Sequence, residues 1–99
     1  MMYQVVEVIK RRSSDGGFGS DRIIKCAFHE RKYCEEYIKE RYWSMLGLGY
    51  TSAAVGGDTY KKTYDVETQD FMGIKKLHID EVVEFILSEV WTPDEEQRV

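Results

Sequence analysis

Two cysteines and two histidines are the first residues to weigh, because thiolates and imidazoles bind transition metals and serve as nucleophiles and bases. Cys26, His29 and Cys34 fall within nine residues, and His78 would supply a fourth ligand. Their spacing matches neither a zinc ribbon nor a knuckle, so no metal site is expected, and the two cysteines read as small apolar residues on core faces. A cysteine nucleophile would need a histidine within hydrogen-bond reach and a third group to orient it, and no such triad emerges from this set. The adjacent carboxylates Glu35/Glu36 and Glu95/Glu96 do not face each other on a helix. Gly47-Leu48-Gly49 follows a helical pattern instead of a strand, the wrong context for a dinucleotide loop. No catalytic residue, metal or cofactor is therefore predicted, and the chain reads as non-enzymatic.

The elements that must position any site begin with Phe28 to Leu46, where Cys34, Tyr37, Ile38, Tyr42, Met45 and Leu46 fall within one arc at 100° steps. Opposite charges four apart on the remaining surface, such as Arg31/Glu35 and Lys32/Glu36, support the helix. His29 stands at its N-cap and Gly47 at its C′ position. Before it, Tyr3 to Lys10 is β-branched on both parities and reads as a central strand, while Asp21 to Phe28 reads as a half-buried one. The turn formers Ser13 to Ser20 close them into a hairpin. After the Gly-rich stretch 47–58, Thr59 to Thr68 alternates cleanly, a turn spans Gln69 to Gly73, and Ile74 to Ile79 makes a fourth strand. Asp80 then caps a second predicted helix, Glu81 to Trp91, with Val82, Val83, Ile86, Leu87 and Val90 on one side. The expected fold is an α+β domain in the order ββαββα, a mainly antiparallel four-stranded sheet with two helices on one face.

Ninety-nine residues suit one domain, with 92–99 as a mobile tail or one short extra turn. The absence of a long apolar run or a signal-like N-terminus predicts a cytoplasmic protein with free thiols. The net charge is −4 and uneven: residues 1–50 hold nine Lys/Arg against seven Asp/Glu, and residues 51–99 five against eleven. That balance argues against general phosphate-backbone binding and suits a basic partner.

The Tyr3-x-Val5 strand, the Gly-containing turn, the strand ending in Phe28 and the Cys34-Glu35-Glu36-Tyr37-Ile38 run together resemble short uncharacterised proteins of bacteriophage and prophage genomes. Cys34 stands where those show Ala, and His29 where they show a Ser or Thr cap. The resemblance covers about residues 3–40 and carries no catalytic residue across. It implies a mobile-element origin and a small protein acting on host machinery in the manner of anti-CRISPR inhibitors.

Seven Tyr and two Trp are generous for this length, and such residues anchor interfaces. Trp43 falls opposite the helix's apolar arc, and on a helical reading Phe85 stands out of register between Glu81 and Glu89, with Glu84 unpaired. Trp43, Tyr50, Glu81, Glu84, Phe85 and Glu89 are thus the predicted partner-binding residues, on a protein that binds and inhibits a basic-surfaced host protein such as a CRISPR-type nuclease. Two alternatives stay open. One is a small-ligand module in which the 47–58 loop closes over Tyr50 and Tyr60; the other is a nucleic-acid-binding domain using Lys10, Arg11, Arg12 and Arg22.

Overall fold

The computed structural model describes residues 1–53 and 58–91. The first hairpin forms, β1 (Met2–Ser13) and β2 (Phe18–Phe28) being antiparallel and joined by a turn in which Gly16 takes φ 92°. But β2, expected half-buried, is an edge strand exposed everywhere except the partly buried Cys26. A bulge in β2 at Lys25 shifts the register between Val5 and Val6. The helix α1 (Arg31–Gly47) follows, with Glu30 at its N-cap and no side-chain capping bond. The expected cap His29 lies one residue too early. Gly47 stays inside the helix, Leu48 is the C-cap, and Gly49 takes the left-handed turn at φ 93°. The stretch 47–58 contains a two-residue strand, β3 (Thr51–Ser52), while 54–57 lie outside the described residues.

The larger correction comes after β4 (Thr59–Asp70). The predicted short strand and second helix are one strand, β5 (Gly73–Val90), of 18 residues. Among the described residues the sheet accordingly has five strands, ordered β2-β1-β5-β4-β3, every pairing antiparallel, and a single helix packs on it. Val82, Val83, Ile86 and Leu87 fit a helical period, but they fit equally a central strand with side chains on both faces of a sheet. The β-branching of Val82, Val83 and Ile86 favours the strand. Asp80 caps nothing: its carboxylate accepts the Thr63 hydroxyl at 3.0 Å. The possible extra turn and tail at 92–99 lie outside the described residues.

The helix face of the sheet holds the core. Val5, Cys34, Met45, Tyr60, Val83 and Phe85 form its buried cluster, and Tyr37, Ile38 and Tyr42 pack against it, the arc expected of α1. Val6 and Val8, of opposite parity, are buried outside that cluster on the other face. β1 ends at Ser13, opposite Ile79, so β4 and β5 run on as a two-stranded ribbon from Val66/Leu77 to Asp70/Gly73. The molecule is long and thin, 65 × 27 × 17 Å. No helix among the described residues is long and apolar enough to cross a membrane.

Candidate partner-binding site

The residues singled out by sequence are scattered by the fold. Trp43 is 76% exposed on the outer side of α1, with Tyr42 edge-on at 5.1 Å between ring centres. Phe85 is the reverse: it is 3% exposed, edge-on to the fully buried Tyr60, and belongs to the core. In a strand, alternation places Phe85 on the face of Val83 and Leu87 and not out of register as a helical phase would. Glu84 points to the opposite face, opposed to Val8 and Thr59, while Glu89 is exposed opposite Tyr3 on the helix side. The acidic strip around Phe85 therefore does not form.

Glu81 and Tyr50 are brought together. Tyr50 follows the left-handed Gly49, its backbone N–H returns to the Met45 carbonyl at 3.0 Å, and its hydroxyl donates to the Glu81 carboxylate. Glu81, 5% exposed, also accepts from Arg11 Nε at 2.6 Å, and Arg11 reaches Asp21 at 3.0 Å. Bonds to Asp21 and then Glu81 raise the Arg11 pKa, so it remains charged. Burial, followed by the bond to Glu81, pushes the Tyr50 phenol up. Lys62 closes the cluster, donating to the Leu48 carbonyl at 2.7 Å and lying 5.3 Å from the centre of the Tyr50 ring. These bonds satisfy one another and hold the end of α1 to the sheet. Tyr60 is fully buried in the core, and Tyr50 is turned onto Glu81.

Among the described residues, no three His, Cys, Asp or Glu side chains gather as metal ligands. Cys26 and Cys34 contact each other beside the core, and His78 bonds to Asp65 on the ribbon. Of the basic set, Arg11 faces the helix side, whereas Lys10, Arg12 and Arg22 lie on the other face, by strand alternation.

The most exposed large apolar side chains are elsewhere. Phe71 is 97% and Met72 83% exposed at the ribbon's tip, and Ile74 is 71% exposed beside them. The tip is built for a tight reversal: Asp70 accepts the Met72 backbone N–H at 2.7 Å, and Gly73 takes φ 122°. Along the shaft, Asp65 bonds to His78 and lies 3.5 Å from Lys76. The sequence held a signal for this site, since Phe and Met are unusual at the centre of a turn that Gly, Asn and Asp normally occupy. Comparison with protein-family models, curated proteins and solved structures finds no match to this chain.

Proposed function

We propose that the protein is a non-enzymatic interaction protein that docks the apolar tip of its β4–β5 ribbon into a cleft on a protein partner. The observation carrying this reading is the pair Phe71 and Met72, almost fully exposed at the end of a ribbon that has no third strand among the described residues. An isolated two-stranded ribbon is marginal in water, and its outer edges leave backbone donors and acceptors free to pair with another chain. Flexible Met beside a rigid aromatic is a combination suited to an apolar pocket. Glu67 and Asp70 on β4 are balanced by Lys75 and Lys76 on β5, so the tip lacks the cluster of cations by which an anionic lipid surface is bound. The resemblance of residues 3–40 to phage and prophage proteins would make the partner a bacterial host protein, and the consequence of docking its inhibition.

The test is to place a photo-crosslinking phenylalanine analogue at position 71 and irradiate expressing bacteria. A single protein adduct that disappears in Met72→Ser is expected. Adducts to lipid, or none, overturn the reading.

A further inference from the structure

We infer that the sheet face opposite α1 is, at its Lys10–Arg12 end, a binding surface for single-stranded nucleic acid. Three rungs of directly opposed residues cross that face: Arg22, Val8, Glu84 and Thr59; then Ser20, Lys10, Val82 and Lys61; then Phe18, Arg12, Asp80 and Thr63. Successive rungs lie two residues apart, about 7 Å along each strand. Lys10, Arg12, Arg22 and Lys61 are all exposed, and none of them takes part in the ion pairs among the described residues. Two acids share the rungs, and one of these, Asp80, accepts the Thr63 hydroxyl. Arg11, the cation engaged by carboxylates, lies on the opposite face.

Val8 and Val82 lie between the cations, with Glu84 and Asp80 beside them on β5. Phe18 is 66% exposed at one corner, and a depression of about 250 Å³ lies between it and Val82, lined also by Lys10, Arg11, Arg12 and Asp80. A flat ring beside unpaired cations suits a strand whose bases are free to stack, because every base has a π-face and every linkage a phosphate. A duplex hides those faces, and four cations on a protein of net charge −4 are too few to hold one. The strand would cross the β-strands at the rungs and stay off the ribbon, where Asp65 and Glu67 lie on the same face. The surface is independent of the Phe71 tip.

Fluorescence anisotropy with a labelled twelve-residue oligothymidylate tests the inference, with a duplex of the same length and polyglutamate as competitors. Binding should weaken with salt at a log–log slope of about −2 to −3, as expected for three or four phosphate contacts on a single strand. Lys10→Gln and Lys61→Gln should each reduce that slope by about 0.7. Phe18→Ala should weaken binding by about tenfold with the slope unchanged, since it removes stacking and no charge. Melting temperatures of all three variants should match wild type, because the three side chains are exposed. No binding at low salt overturns the inference. So does equal competition by polyglutamate with Phe18→Ala unaffected, which would identify an acidic protein as the ligand of this face.

Discussion

Arg11 and Glu81 are seventy positions apart in sequence and directly opposed on β1 and β5, with Nε and Oε1 2.6 Å apart. The carboxylate is buried while much of the guanidinium remains in water, and Tyr50 supplies Glu81 with a second donor. The contact thus joins both hairpins to the end of α1. A buried carboxylate stripped of a charged donor loses a hydrogen bond of about 1.5–3 kcal/mol. Arg11→Ala should lower unfolding stability by roughly that amount, and Arg11→Lys should recover only part, lacking the planar fork. Urea unfolding of both variants measures this; a loss under about 0.5 kcal/mol in Arg11→Ala would show that Tyr50 and water suffice for Glu81.

Alkaline stability follows from the phenols. Burial first, then the Glu81 bond, raises Tyr50 above the ordinary value of 10.0, and burial with the neighbouring Tyr42 raises Tyr60. Folded protein keeps these protons where unfolded chain has lost them, so their contribution is whole below pH 10 and declines as pH rises beyond it. Tyr50→Phe should flatten that decline, read from urea midpoints at a series of alkaline pH values. An unchanged pH dependence in the variant would remove Tyr50 as a cause.

Phe85 is core, so truncating it should leave a cavity. Phe85→Ala is expected to cost about 3–5 kcal/mol, and Glu84→Lys with Phe85→Ala to unfold the protein instead of merely detaching a partner. Ile38→Ala, at the helix–sheet contact, should cost about 2–4 kcal/mol. Thermal melts distinguish these from surface changes such as Trp43→Ala, expected near wild type.

The two thiols should differ in reactivity. Cys34 is fully buried and its pKa is raised, chiefly by burial and then by Cys26, whereas Cys26 is partly exposed. A thiol reagent at neutral pH should label Cys26 first and Cys34 only at the rate of unfolding. Equal labelling rates in the native protein would contradict the packing of α1 on β1.

Within β5 itself, protection should change abruptly at Ile79, where β1 ends. Amides of residues 65–70 and 73–77 should exchange at least about tenfold faster than those of 82–87, because the ribbon has one neighbouring strand and no core. Phe71→Ser with Met72→Ser should leave global stability within about 0.5 kcal/mol. Slow exchange throughout the ribbon in the isolated protein would mean that something already covers it.

Much of the first half was legible locally. The apolar arc of α1, the β1–β2 hairpin and the alternation of β4 are periodic signals, and each survives in the fold. Turn chemistry also placed the reversals near 13–17 and 70–73. The site was less legible. Trp43 is exposed, but Phe85 changed meaning once its period became two, and Arg11 parted from Lys10 and Arg12 because neighbouring strand residues face opposite ways.

By itself the sequence determined where apolar side chains recur, where the chain turns, and that one amphipathic helix packs against strands. Whether Glu81 to Val90 became helix or strand was decided by tertiary structure. A run with apolar residues at 82, 83, 86 and 87 can bury one side against a sheet or both sides within it. β1 on one edge and β4 on the other supply the backbone hydrogen bonds that make the second choice stable. The same pairing, by ending β1 at Ser13 while β4 and β5 continue, turned an ordinary turn into an exposed apolar tip.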